Sequence, residues 1–260
     1  MNYKKNNFYV ENVSTEKLSK KFKTPLYCYS YLRLKNNIKK FKNYFSKINP
    51  LICFSVKSNS NIKLLKEIKK FGLGADVVSK GEMIKALKAG IKANKIVFSG
   101  VGKTYSELDY AINKNILLIN VESQNELLVI EKIAKLKKRK IDVGIRLNPN
   151  IDPRTLNQIS TGKEGDKFGV SENEFIRLVN YSKKSKFIDL KCLSVHIGSQ
   201  ILSYKPYEKM LKVIERVINK TNYKFEFIDL GGGIGISYQK NSKKFDFKIF
   251  KSLINKFLKK

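Results

Sequence analysis

Seven short apolar runs recur along the chain, at residues 51–56, 75–79, 95–99, 117–122, 141–147, 190–197 and 225–230. Each is followed by a polar turn and then an amphipathic stretch. The runs are continuous rather than alternating, as expected of parallel strands covered on both faces. Between them, residues 61–71 put Ile62, Leu65 and Ile68 on one stripe, and residues 81–89 do the same with Met83, Ile84 and Leu87. Residues 126–138 and 207–219 repeat that spacing, with Lys and Glu on the outer face. Regular strand–helix alternation implies right-handed βαβ crossovers.

Seven such units predict an α/β protein built as a (β/α)8 barrel of the TIM type, incomplete at its eighth strand. An open doubly wound sheet is the alternative. "GGGIGIS" speaks against it, because Ile236 stands where the third glycine of a dinucleotide-binding G-x-G-x-x-G belongs. Residues 1–24 precede the barrel pattern, and "TPLYCYS" reads as a strand leading into a helix at 31–44. The last residues, "FDFKIFKSLINKFLKK", stop inside a helical pattern without a glycine cap or an eighth strand. A barrel short of one strand has two unpaired edges, so the expectation is a piece of a longer chain.

Composition narrows the function classes. With 260 residues and 42 % apolar content, the chain can bury one large core or two modest ones. It has no uncharged apolar run of about 18 residues that would span a membrane. The first residues lack the apolar core of a signal peptide, which predicts a cytoplasmic protein. Cys28, Cys53 and Cys192 are far apart, odd in number and without a Cys-x-x-Cys. They offer neither a disulfide framework nor a zinc site, and read as small buried hydrophobes. The net charge of +31 comes from Lys, which outnumbers Arg 47 to 6 and is spread over nearly every helix. Nucleic-acid readers concentrate charge on one face and add Arg, so no specific nucleic-acid partner is expected.

Chemistry-bearing residues gather at strand ends, the face on which barrels place their sites. Lys57 ends the first run in "ICFSVKSNSN", where apolar walls can destabilise an ammonium and favour attack on a carbonyl. Asp76 and Glu82 follow in "ADVVSKGEM", Arg146 ends "IRLNP", and "VHIGSQ" carries His196, the one histidine of the chain, close to Ser199. The seventh run ends "DLGGGIGISY", where Gly231, Gly232, Gly233 and Gly235 can present backbone N–H groups as a phosphate cradle. A lysine, an aromatic side chain and a phosphate cradle together suit pyridoxal 5'-phosphate, an aldehyde cofactor that bonds to lysine and accepts electrons from a carbanion.

With "TPLYCYS", "FSVKSNSN", "GLGADVVSKGEM", "IRLNPN", "ISTGKEGDKFG", "SVHIGSQI" and "DLGGGIG" in this order, the chain resembles the alanine-racemase-fold (fold type III) pyridoxal-phosphate decarboxylases over nearly its whole length. "HIGSQ" with "STG…KFG" is closer to the diaminopimelate branch than to the ornithine and arginine branches. The resemblance implies that Lys57 is the Schiff-base lysine and that His196 stacks on the pyridine ring. It implies that Ser199 and Gly231, Gly232 and Gly233 hold the phosphate, and that Asp76, Glu82 and Arg146 form the hydrogen-bonding shell. No metal site is implied.

The implied reaction is decarboxylation of meso-2,6-diaminopimelate to L-lysine and CO2, by a homodimer in the full-length protein. The alternatives are decarboxylation of ornithine, lysine or carboxynorspermidine, and a non-catalytic pyridoxal-phosphate barrel. Two departures stand out. Leu156 occupies a position where the family commonly has histidine, and the Glu-Pro-Gly-Arg strand and β-domain of the family have no counterpart in these residues. Residues 1–24 are therefore expected to belong to that second domain, residues 25–260 to the barrel, and the 260-residue piece alone to be inactive.

Overall fold

The computed structural model describes residues 2–4, 6–238 and 244–259, in two compact units, Met1–Pro50 and Leu51–Lys260. In the first unit, β1 (Asn2–Lys4), β2 (Asn7–Val10) and β3 (Val13–Ser14) form an antiparallel sheet, followed by α1 (Thr15–Phe22) and α2 (Tyr31–Tyr44). Neither this sheet nor α1 is visible in the periodicity.

"TPLYCYS" is not a strand. Pro25 brings no N–H to a ladder, and the segment ends in a helix cap instead. Ser30 accepts the Arg33 N–H and donates to Glu11 Oε1 at 2.7 Å, which also accepts the Leu32 N–H at 2.8 Å. The polar groups leading into α2 are thus spent on starting that helix.

The second unit alternates strand and helix throughout. In chain order it runs β4 (Cys53–Ser55), α3 (Ile62–Lys70), β5 (Gly74–Val77), α4 (Lys80–Lys88), β6 (Ile96–Phe98), α5 (Tyr105–Asn113), β7 (Leu118–Val121) and α6 (Gln124–Leu136). It continues with β8 (Ile141–Arg146), α7 (Glu172–Lys184), β9 (Ile188–Ser194), α8 (Lys205–Thr221), β10 (Phe227–Asp229) and α9 (Phe247–Phe257). All seven predicted strands are present, each parallel to the next, in the unbroken order β4 to β10.

The sheet curls into most of a barrel. Asn120 on β7 and Asp229 on β10 are three strand spacings apart, about 14 Å in a flat sheet. Their side chains nevertheless meet at 3.1 Å, between Asn120 Nδ2 and Asp229 Oδ2. Strands β4 and β10 remain at the two edges, and no eighth barrel strand occurs among the described residues.

Four of the helix starts are written into the sequence as a repeated Ser/Thr-x-x-Glu. Ser79, Thr104, Ser123 and Ser171 each accept the N–H of the glutamate three residues on, satisfying a donor that the first turn leaves free. Each helix then turns its apolar stripe inward, with Leu65 and Ile68 of α3, Met83 and Ala86 of α4, and Leu127, Ile130 and Ile133 of α6 all buried. No helix among the described residues is long and apolar enough to cross a membrane.

Candidate active site at the carboxyl ends of the strands

Lys57 leaves β4 on a single tight turn, Val56–Ser58, closed by Asn59 N–H to Val56 O at 3.0 Å and Ser58 Oγ to Ser55 O at 2.7 Å. Val56 is fully buried below it and Lys57 itself is exposed. The ammonium is near enough to act on two other groups. It lowers the proton affinity of both the Asp76 carboxyl and the His196 imidazole.

For Asp76 that effect is outweighed. Burial pushes its carboxyl up to about 6, with the charge of Asp229 adding to the rise and hydrogen bonds from Ser99 and Ser55 opposing it. His196 is pushed down to about 3, first by burial and then by the charges of Arg146 and Lys57. It is therefore a neutral imidazole at neutral pH. Its Nδ1 accepts the Gly232 N–H at 3.2 Å, which leaves the proton on Nε2.

The segment after β9 is held down by the loop 148–169. Thr161 N–H donates to Ile197 O, Ser199 N–H donates to Ile159 O, and Thr161 Oγ1 donates to His196 O at 2.9 Å. Two backbones can approach this closely because Gly162 and Gly198 lie between them. A Cβ on Gly162 would sit 2.9 Å from Ile197 Cα, and one on Gly198 would sit 2.9 Å from Ile159 O. The "ISTG" and "HIGS" motifs are two sides of one junction. Leu156, in the same loop, is 71 % exposed.

The glycine turn after β10 is more constrained than a plain cradle. Gly231 donates its N–H to Asp229 Oδ1 at 2.8 Å, and Gly232 donates to His196. The Gly232 carbonyl accepts from the buried Tyr207 hydroxyl at 2.8 Å, and the Gly233 carbonyl from Ile201 N–H at 2.9 Å. Among the described residues, the N–H groups of Gly233 and Ile234 are left without a protein acceptor, as is the Ser199 hydroxyl. A Cβ on Gly232 would meet nothing within 4 Å. Space and unspent donors therefore coincide at this turn, the arrangement a phosphate needs.

Arg146 is buried at the end of β8, with Nη1 on Glu122 Oε1 at 2.9 Å and Nη2 on His196 O at 3.2 Å. Its guanidinium also lies 4.8 Å from the centre of the Phe168 ring. Glu82 lies on the first turn of α4, where its Oε2 accepts the Val78 N–H at 2.9 Å. One of its oxygens is thus engaged in closing the helix start.

Three participants are absent from the sequence-based list. Glu122 is one. Asn120 and Asp229 are the others, part of a polar belt inside the barrel. Asn120 Nδ2 reaches Ser99, Ser194 and Asp229, and Ser194 Oγ donates to Asp229 Oδ2 at 2.8 Å. Asn120 fits because position 144 is glycine, whose Cβ would overlap the Asn120 amide oxygen. A polar residue amid an apolar strand, "LINV", was the available signal.

Cys53 and Cys192 line the same interior. Burial and the charges of Asp229 and Asp76 push the Cys53 thiol up to about 12, and burial with the charge of Asp229 raises Cys192. Neither is a thiolate nucleophile.

The curled parallel sheet with a lysine, a neutral histidine and a glycine turn at its carboxyl end defines an alanine-racemase-like pyridoxal-binding barrel. Residues 32–260 match the family described as pyridoxal-dependent decarboxylase, pyridoxal binding domain, and the chain belongs to that family. It is 43 % identical over 228 residues to the diaminopimelate decarboxylase of Helicobacter pylori strain J99, covering 86 % of this chain and 56 % of that protein. It is 39 % identical over 247 residues to that of Aquifex aeolicus strain VF5, covering 94 % and 58 %. The crystal structure of diaminopimelate decarboxylase from Helicobacter pylori complexed with L-lysine superposes with a TM-score of 0.88 at 40 % identity, covering 94 % of this chain and 63 % of that one. The chain thus spans a little over half the length of the curated relatives it matches.

Proposed function

We propose that this chain is the cofactor-binding part of a diaminopimelate decarboxylase, which converts meso-2,6-diaminopimelate to L-lysine and CO2 in the full-length protein. The observation that carries the reading is the meeting of Lys57, neutral His196 and the glycine turn with its unspent Gly233 and Ile234 amides. The names of the relatives, and the L-lysine in the Helicobacter pylori structure, support the substrate class.

Pyridoxal phosphate, when bound, supplies an aldehyde that captures an amino group and a ring that takes up the electrons left by departing CO2. Lys57 would hold that aldehyde through Nζ. As a free amine near the Asp76 carboxyl, Lys57 would also be placed to hold or return a proton. A neutral imidazole suits His196 for stacking on the ring, because a third cation beside Lys57 and Arg146 would be repelled. Ser199, with Gly231, Gly232 and Gly233, would enclose the phosphate; Gly233 in the turn and Ser199 after β9 have free donors, and Gly232 has free space. Arg146 and Glu82 complete the polar shell.

We further propose that residues 1–24 pack with a second, β-rich domain and residues 25–260 form the barrel, in a cytoplasmic homodimer. The test has two parts. Borohydride reduction of the protein with pyridoxal phosphate, followed by peptide mapping, is expected to place the label on Lys57 and to give none in Lys57→Ala. Turnover of the full-length protein is expected on meso-diaminopimelate and not on ornithine. A label on another lysine, or equal rates on both substrates, would overturn the assignment.

A further inference from the structure

We propose that Glu122 is a positioning residue of this site, one that aligns Arg146 and, through it, His196. The inference deepens the pyridoxal-binding reading and rests on it for its functional meaning. Its structural content stands on geometry alone.

Glu122 lies just past the end of β7 and its side chain is 2 % exposed. One carboxylate ties together three strand ends. Oε1 accepts the Gly100 N–H at 3.0 Å, after β6, and Arg146 Nη1 at 2.9 Å, at the end of β8. Oε2 accepts the Gly169 N–H at 2.8 Å, where the loop 148–169 returns to the barrel. Both loop partners are glycines in the left-handed region, with φ of +93° at Gly100 and +72° at Gly169. A Cβ on Gly169 would sit 2.9 Å from Arg146 O, so the close approach around the carboxylate depends on that glycine.

The Glu122 backbone is fixed as well. Its N–H donates to Glu126 Oε2 at 3.0 Å, and Glu126 Oε1 is paired with the buried Lys103 at 2.6 Å. Lys103 Nζ also donates to the carbonyls of Gly100 and Asn120. Gly100 is therefore held from both sides, by Glu122 at its N–H and by Lys103 at its carbonyl. This arrangement leaves the Glu122 carboxylate little freedom to move.

What it holds is the second cation of the site. With Nη1 bound to Glu122, the Arg146 guanidinium can present Nη2 to His196 O at 3.2 Å, the same carbonyl that Thr161 Oγ1 reaches at 2.9 Å. The His196 backbone is thus fixed by two donors, while its ring is fixed by the Gly232 N–H. Removing the Glu122 charge frees the guanidinium and removes one of the two anchors of His196.

In Glu122→Gln an NH2 replaces one carboxylate oxygen and faces either the Gly169 N–H or a donor already on Oε1. At least one of those donors is then left without an acceptor.

The test uses His196 as a reporter, because it is the chain's one histidine and gives a single imidazole pattern in long-range 1H–15N spectra. Glu122→Gln is expected to shift or broaden that pattern, and to weaken pyridoxal phosphate binding at least tenfold. Glu131→Gln, which alters a carboxylate bound to Tyr181 and Ser185 away from the site, is the control for general destabilisation. It is expected to leave both readings unchanged.

A folded Glu122→Gln variant with unchanged His196 resonances would overturn the proposal. So would equal shifts in both variants. Should Glu122→Gln fail to fold, Arg146→Lys is expected to disturb the His196 pattern in the same direction, and an unchanged pattern there is also a refutation. Absence of cofactor binding by the wild-type chain would sink the pyridoxal reading while the His196 spectra still decide the role of Glu122.

Discussion

Two neighbouring glycines in the turn after β10 should respond in opposite ways to the same added methyl group. Gly233 has φ of +84°, and a Cβ there would overlap the carbonyl oxygen of Gly198. The left-handed backbone costs a non-glycine residue about 1–2 kcal/mol. Relieving the overlap requires the Gly198 and Gly233 backbones to separate, which strains the Ile201 N–H to Gly233 O bond, worth about 1 kcal/mol. Gly233→Ala should therefore lose about 2–3 kcal/mol, a fall in Tm of roughly 4–12 °C for a domain of this size.

Gly232 has no neighbour within 4 Å of its Cβ position and no positive φ. Gly232→Ala should match the wild-type Tm or exceed it slightly, by about 0.4–1 kcal/mol of stability, because alanine restricts the unfolded chain. Its methyl group instead enters the space beside the unspent Gly233 and Ile234 amides. Pyridoxal phosphate affinity should fall at least tenfold. Thermal melts by circular dichroism and a fluorescence titration of the cofactor read the two effects separately. A Gly232→Ala protein that melts as low as Gly233→Ala, or that binds the cofactor like wild type, would refute this account of the turn.

Acid stability should carry two opposed contributions. The folded-state pKa of Asp76, raised to about 6, means its burial penalty is absent below about pH 4 and complete above about pH 6, where it costs about 3 kcal/mol. His196, pushed down to about 3, has the opposite sign: the unfolded state binds its proton first, so stability is lost as pH falls from about 6.5 towards 3. Asp76→Asn should raise stability at pH 7 and steepen the loss between pH 6 and 4, as read by urea unfolding across that range; an unchanged pH profile would contradict the assignment. Lys103→Met strands Glu126 in a buried position and should cost about 3–5 kcal/mol by the same unfolding measurement, whereas the solvent-screened pair Lys20–Glu16 should tolerate Lys20→Met with no measurable loss.

The barrel was legible because its signal is local. Continuous apolar runs and amphipathic stripes repeat unit by unit, so strand identity, helix identity and the strand-end address of Lys57 follow from periodicity alone. The same local reading failed at "TPLYCYS", which has strand-forming composition. Its fate is decided by Glu11, nineteen residues before Ser30, capturing the start of α2. It also missed the sheet at 2–14, whose strands are too short to show an alternating pattern.

Of the site, the inventory is legible residue by residue: one lysine after an apolar run, one histidine, and a turn of glycines. The tertiary structure decided how these residues are spent. Gly231 and Gly232 are as good cradle candidates as Gly233 on paper, yet their N–H groups are taken by Asp229 and His196. Glu122 looks like the end of one more strand until β6, β8 and the loop 148–169 converge on its carboxylate. Hydrogen bonds and buried charge pair groups that are near in space, and the curl of the sheet sets those distances across 22 to 109 residues of sequence. Periodicity reports which face a residue takes; it carries no record of what the opposite strand brings to meet it.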